Sequence, residues 1–119
     1  ILCVEDTSDW AHTPTRAVVS KADAQLRRTI LVATKLDAKL AQFAMAEDLH
    51  RLLNPRDVAA AHPRLLAGPI FTSVPPLMPV DGFSFAQAIE AHEGSLTTLL
   101  SDRVGSDVYT SRIGILALR

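Results

Sequence analysis

The feature that most constrains this sequence is an apolar run, Thr29 to Ala33, that stops abruptly at the polar tetrapeptide Thr34-Lys35-Leu36-Asp37. A short, uninterrupted aliphatic run is typical of a strand that is covered on both faces of a parallel sheet. The tetrapeptide places one cation and one carboxylate at the carboxyl end of that strand. In open α/β sheets ligands bind at this edge, so the sequence predicts a ligand site here.

The spacing Thr34-Lys35-x-Asp37 suits recognition of a guanine base. The Asp37 carboxylate can accept hydrogen bonds from the ring N–H and the exocyclic amine of guanine, a pair of donors that adenine does not present in that arrangement. The Lys35 stem can lie over the base plane while its ammonium orders the loop. The alternative is a strand that ends in a polar turn, because Lys-x-Asp often arises by chance.

Composition indicates one globular domain without a nucleic-acid partner. The chain has 119 residues, of which 48% are hydrophobic and 21% charged, enough for one modest domain with a core. Its net charge of −1 and the lack of a basic run argue against nucleic-acid binding. Its one cysteine, Cys3, lies in an apolar run, which predicts a buried, inert thiol and is compatible with a reducing compartment. No apolar run has the length of a membrane-spanning helix.

Both ends of the chain are apolar. Ile1-Leu2-Cys3-Val4 has no polar lead-in, and the other end stops within the apolar segment Ile113 to Arg119. Domain termini are usually exposed and polar. We therefore expect residues 1–119 to be a fragment of a larger domain.

The rest of the pattern predicts strands that alternate with helices, and hence an α/β fold with about three parallel strands and flanking helices. Thr13-Pro14 is a helix start, and Ser84 with Gln87 forms a capping box that Phe83 can support. Residues 37–44 lack an apolar period and are expected to be a loop, and Gly94-Ser95 is expected to break a helix. The predicted strands are Ile1 to Val4, Thr29 to Ala33 and Pro69 to Thr72; the predicted helices are 14–22, 45–53, a short one ending near Ala61, 84–93, 96–103 and a last one from Ser106 or Asp107 with Tyr109, Ile113 and Leu116 on one stripe.

Other chemical groupings are weaker. Glu5, Asp6 and Asp9 cluster after the first strand, where a solvated loop is favoured over a divalent metal site. Arg27-Arg28 could bind phosphate but is interpreted as a solvated pair. There is no G-x-x-x-x-G-K-S/T loop, no Asp-x-x-Gly after a strand, and no Ser-His-Asp or Cys-His pattern. The sequence therefore carries no machinery for phosphoryl transfer.

Several segments together resemble the GTPase domain of the dynamin family. They are Ile1-Leu2-Cys3-Val4, Ser8-Asp9-Trp10-Ala11, Lys21-Ala22-Asp23, Arg28 to Asp37, and the turn Ser101-Asp102-Arg103-Val104-Gly105. The family shows an apolar strand, a loop with Ser-Asp, a helix ending near Val-Asp-Pro, and the run Arg-Thr-Ile-x-Val-x-Thr-Lys-Leu-Asp. The resemblance is strong over residues 1–37, moderate over 95–112 and weak between 38 and 80.

The resemblance implies the C-terminal half of such a GTPase domain, with a partial P-loop NTPase-type (Rossmann-like) three-layer fold. Thr34, Lys35, Leu36 and Asp37 match the family's guanine-reading motif, and Thr72 and Ser73 stand where its next base-contacting loop follows a strand. It implies GTP as the ligand, with Mg²⁺ bound in the parent protein by ligands outside this sequence. The parent would be a cytoplasmic GTPase that forms homo-oligomers, attaches peripherally to membranes through its other parts and remodels them. The fragment alone is expected to be inactive, since the missing N-terminal half would carry the phosphate site.

Three positions depart from the family's pattern. Thr72-Ser73-Val74 replaces Asn-Arg-Ser and removes the arginine, Leu40 stands where an Asp is frequent, and Ala24 replaces a Pro. Two other hypotheses therefore stay open. One is a degenerate α/β interaction module that has lost its nucleotide site. The other is a small independent α/β enzyme, which the absence of a catalytic constellation disfavours.

Overall fold

The computed structural model describes residues 1–6, 14–54, 63–66, 68–75, 84–105 and 107–118. The predictions for the Thr13 cap, the loop around Asp9, the short helix ending near Ala61 and the Phe83 contact lie outside these residues. In chain order the elements are β1 (Leu2–Asp6), α1 (Pro14–Ala22), β2 (Ile30–Thr34), α2 (Leu36–Leu40), α3 (Ala46–Leu53), α4 (Pro63–Leu66), β3 (Ile70–Phe71), α5 (Phe85–Val104) and two 3₁₀ segments, Asp107–Arg112 and Ile115–Leu118.

The strands form one parallel sheet in the order β1-β2-β3. The register pairs Leu2 with Ile30 and Asp6 with Thr34, so the carboxyl ends of β1 and β2 are level. β3 is short and pairs with β2 from Val32 onwards. The α/β fold with three parallel strands is therefore confirmed. None of the helices in the described part of the chain is long and apolar enough to cross a membrane.

The two faces of the sheet differ. Side chains alternate along a strand, and one face carries Cys3 and Leu31, which are buried, while the other carries Leu2, Val4 and Ile30. Those three residues are 59%, 52% and 46% exposed. The expectation that both faces are covered is therefore wrong at β1 and at the start of β2. The main core contains eleven buried residues: Ala33, Leu36, Leu40, Leu49, Leu52, Leu53, Phe71, Leu96, Leu100, Tyr109 and Ile113.

β1 is longer than its apolar run, because it continues through two acidic residues. Glu5 is buried, and both of its carboxylate oxygens lie 3.1 Å from Nε of Arg16 on α1. The interpretation of Glu5 as part of a solvated loop is therefore wrong: an internal cation replaces water as its partner. Cys3 is buried as predicted, and burial together with the neighbouring Glu5 raises the pKa of its thiol to about 11.

The loop predicted over residues 37–44 is also wrong at its start, where α2 forms. Leu36 and Leu40 lie one turn apart and are 0% and 2% exposed, so burial of two leucines stabilises a helix too short to show a period. The carboxyl end of α2 is stabilised by a residue far along the chain: Nη1 of Arg103 donates to the carbonyl oxygens of Leu40 (2.9 Å) and Phe43 (3.2 Å).

α5 is one continuous helix of 20 residues, so the predicted break at Gly94-Ser95 is wrong. A glycine inside a helix costs only about 1 kcal/mol, which the burial of Leu96 and Leu100 offsets. The predicted capping box is confirmed: the Ser84 amide donates to Gln87 Oε1 (2.9 Å), and the Gln87 amide donates to Ser84 Oγ (3.2 Å).

The last helix predicted from the sequence is instead two 3₁₀ segments separated at Ile113-Gly114. The Gly114 amide donates to the Phe71 carbonyl oxygen at 2.8 Å, which draws the chain against the outer edge of β3. Gly114 has φ +95°, a conformation that ends regular helix. Tyr109 and Ile113 are buried as the stripe predicted, but Leu116 is exposed.

Replacing Gly114 with Ala is expected to lower the free energy of unfolding by about 1–3 kcal/mol, because a side chain is strained at this φ. The added Cβ would also clash with the Glu93 carboxylate, which already accepts a hydrogen bond from the Ile115 amide at 2.7 Å. Gly94→Ala is the matched control, since open space surrounds that helical position; it is expected to raise stability by about 0.5–1 kcal/mol. Urea denaturation of both variants checks this, and equal effects would contradict it.

Candidate functional site

The predicted ligand edge is built where β1 and β2 end side by side. The Thr34 hydroxyl donates to the Glu5 carbonyl oxygen at 3.0 Å and so ties the two strand ends together. Lys35 follows in a left-handed conformation (φ +60°, ψ +38°), which turns the chain from strand to helix. Its ammonium lies 3.0 Å from Asp6 Oδ2, with the two side chains 67% and 46% exposed. Such an exposed pair contributes at most about 1 kcal/mol, so it orients the loop more than it stabilises the fold.

Leu36 joins this edge to the end of β3. Its side chain is fully buried, and its amide donates to the Thr72 carbonyl oxygen at 3.3 Å. The Thr72 amide in turn donates to the Ala33 carbonyl oxygen at 2.8 Å. Leu36 therefore supports the tetrapeptide from within the core, and Thr72 is fixed beside the tetrapeptide by main-chain hydrogen bonds.

Asp37 lies in the first turn of α2 and is half-buried. Its Oδ1 accepts a hydrogen bond from the hydroxyl of Ser73, which is 3% exposed. The same hydroxyl lies 2.9 Å from Nε2 of His92 on α5. A serine hydroxyl has one proton, and here that proton goes to Asp37. The hydrogen between Ser73 and His92 therefore belongs to Nε2 of His92. His92 donates to the Ser73 oxygen, and Ser73 donates to Asp37.

The structure thus brings together residues from both predicted loops and adds others that the sequence did not predict as site residues. Asp37 and Ser73 are in direct contact, whereas the Lys35 ammonium pairs with Asp6 at the end of β1. His92 lies within the predicted helix 84–93, and nothing in the neighbouring sequence marks it as a site residue.

The cluster of Asp37, Ser73 and His92 contains the residue types of a hydrolytic triad, but the order of contacts is different. In a triad the imidazole lies between the serine and the carboxylate and takes the serine proton. Here the serine lies in the middle and donates straight to the carboxylate. Ser73 is also buried, so a substrate carbonyl cannot reach its oxygen. The arrangement positions a carboxylate and is unsuited to nucleophilic catalysis.

The arginine pair before β2 is organised by Asp23. The Asp23 carboxylate accepts from the amides of Arg27 (3.3 Å) and Arg28 (2.8 Å) and from the hydroxyl of Thr29 (2.9 Å). The hydrogen bond from the Arg28 amide is the main reason that the pKa of Asp23 is lowered. Asp23 therefore shapes the turn into β2. Within the described ranges, no group of three or more His, Cys, Asp or Glu side chains could hold a metal ion.

Comparison with known proteins gives relatives but no structural template. No protein-family model matches the chain, and no solved structure matches it. Dynamin-like protein ARC5 of Arabidopsis thaliana is 37% identical over 130 aligned residues, which take in all of this chain and 17% of that relative. Dynamin-like protein C of Dictyostelium discoideum is 29% identical over 121 residues, again all of this chain and 13% of that relative. The chain is therefore homologous over its whole length to dynamin-like proteins, of which it spans a small part.

Proposed function

We propose that this chain is the guanine-recognising C-terminal half of a dynamin-like GTPase domain. The observation that carries the proposal is the Asp37 carboxylate, fixed by Ser73 just beyond the carboxyl end of the central strand. A carboxylate offers about four acceptor positions, and Ser73 uses one of them. The others can accept the ring N–H and the exocyclic amine of guanine, while Lys35, Thr34, Leu36 and Thr72 form the surrounding edge.

The phosphates would be bound elsewhere in the parent protein. The sequence has no phosphate-binding loop, so GTP hydrolysis, with Mg²⁺, would need the N-terminal half of the domain. The uncovered apolar side chains of Leu2, Val4 and Ile30 support this division, because they form a sheet face that a further part of the same domain could bury. Homology to dynamin-like proteins supports a parent that oligomerises and remodels membranes through its other parts.

One observation favours a second function. The loop after β3 reads Thr72-Ser73-Val74 and has no arginine to stack on the base from that side. An α/β interaction module that has lost nucleotide binding would tolerate this change. The retained Asp37 contact and the intact tetrapeptide favour the guanine site instead.

In the full natural chain that contains these residues, GTP is expected to displace a fluorescent guanine nucleotide at least about a hundredfold better than ATP, equivalent to about 2.7 kcal/mol. The physical reason is that adenine cannot donate two hydrogen bonds to Asp37 in the required arrangement. Competition titrations with both nucleotides, each with Mg²⁺, measure this ratio. Equal displacement, or no binding of the fluorescent nucleotide, would favour the interaction module.

A further inference from the structure

We propose that His92 is a positioning residue for guanine recognition, which acts through Ser73 to hold the Asp37 carboxylate in its base-reading orientation. The inference rests on the proposed function and deepens it. It assigns a role to a residue of α5 that lies 19 positions beyond Ser73 and outside both predicted ligand loops.

The direction of the hydrogen bonds gives His92 a defined role. While Ser73 donates to Asp37, His92 Nε2, 2.9 Å away, is in place to donate to the Ser73 oxygen and so to fix the hydroxyl from its other side. Because Ser73 is 3% exposed, bulk water has little access to replace that donor. Without His92, only Asp37 itself restrains the Ser73 hydroxyl, so the orientation of the pair is less fixed.

α5 holds α2 at both ends. Near the start of α2, His92 reaches Asp37 through Ser73. At its end, Arg103 donates to the Leu40 carbonyl oxygen at 2.9 Å. α2 has only five residues, and a helix of this length is unstable alone. The long helix therefore supplies the rigidity that the short one lacks, which is what a carboxylate that must match two donors on a base requires.

Loss of His92 is expected to affect guanine more than a base that presents a single donor. Guanine presents two donors to Asp37, whereas hypoxanthine lacks the exocyclic amine and presents one. A misoriented carboxylate keeps one hydrogen bond more easily than two. Loss of His92 should therefore weaken guanine binding more than hypoxanthine binding, whereas general destabilisation would weaken both alike.

The experiment measures the dissociation constants of GDP and IDP by titration calorimetry on the full natural chain, for the unmodified protein, His92→Ala, His92→Gln and Ser73→Ala. The preference for GDP over IDP is expected to fall at least about tenfold in His92→Ala and in Ser73→Ala. The double variant should show no further fall, since both changes cut one path. His92→Gln should keep most of the preference, because the glutamine amide nitrogen can donate from near the position of the histidine Nε2. Glu90→Ala, an exposed position on the same helix, is the control and should leave the preference unchanged.

The outcomes separate the inference from the function on which it rests. If the unmodified protein binds no guanine nucleotide, the proposed function fails and the inference fails with it. A second outcome is that the unmodified protein prefers GDP over IDP and that Asp37→Asn abolishes this preference. If His92→Ala and Ser73→Ala then keep the preference, only the inference is overturned. An equal loss of affinity for GDP and IDP in those variants overturns it as well. Should His92→Ala not fold, as judged by circular dichroism, His92→Leu, which keeps the side-chain volume but has no donor, takes its place with the same expected fall in the preference for GDP.

Discussion

Replacing Asp37 with Asn is expected to shift the nucleotide preference of the full natural chain from guanine towards xanthine. Guanine presents two donors to the carboxylate, whereas xanthine presents the same ring N–H and, in place of the amine, a carbonyl oxygen. An asparagine side chain offers one acceptor and one donor, so it matches xanthine and opposes the amine of guanine. Hydrogen bonds to a charged group are worth about 1.5–3 kcal/mol each, so the ratio of XDP to GDP affinity should rise by at least about a hundredfold.

Dissociation constants for GDP and XDP, measured in both proteins, test this expectation. Asp102→Asn is the matched control, since it makes the same chemical change at an exposed position on α5 and should leave the ratio unaltered. An Asp37→Asn variant that still prefers GDP would contradict the assignment of Asp37 as the base-reading acceptor. A variant that binds neither nucleotide while remaining folded would contradict the expected switch.

The parts of the fold that sequence could predict are those coded locally. The strand pattern, the helix start at Pro14 and the capping box of Ser84 and Gln87 depend on neighbours in the chain. α2 depends instead on distant partners, because Leu36 and Leu40 are buried in the core and Arg103 binds the Leu40 carbonyl oxygen. A five-residue segment has too few positions to show that in its own pattern.

The same division applies to the candidate site. Asp37 could be proposed as a site residue from the sequence because its chemistry and spacing lie within one tetrapeptide. His92 could not, because its link to Asp37 passes through Ser73, which is 36 positions from Asp37 and 19 from His92. The burial of Glu5 could not be predicted for a similar reason: its partner, Arg16, belongs to the next helix, and no local sequence pattern pairs the two residues.

Breaking the buried pair of Glu5 and Arg16 is expected to lower the stability of the fold strongly. Glu5 and Arg16 are only 1% and 6% exposed at their side chains, and the Glu5 carbonyl oxygen accepts from Thr34 at the ligand edge. Arg16→Met would leave a carboxylate buried without its cation. Removing one member of a buried ion pair costs about 3–5 kcal/mol, a large fraction of the 5–15 kcal/mol that holds a typical domain folded.

Urea denaturation of four proteins tests this: the unmodified chain, Arg16→Met, Glu5→Met and the double variant. The double variant should be less destabilised than the sum of the single variants, because neither charge is then left alone in the core. Arg51→Met is the control, since Arg51 faces Asp48 at 3.9 Å with the two side chains 74% and 45% exposed; its effect should stay within about 1 kcal/mol. If Arg16→Met were as mild as Arg51→Met, the pair would not be what fixes α1 against β1. If the single losses simply added, the two charges would be acting independently of each other.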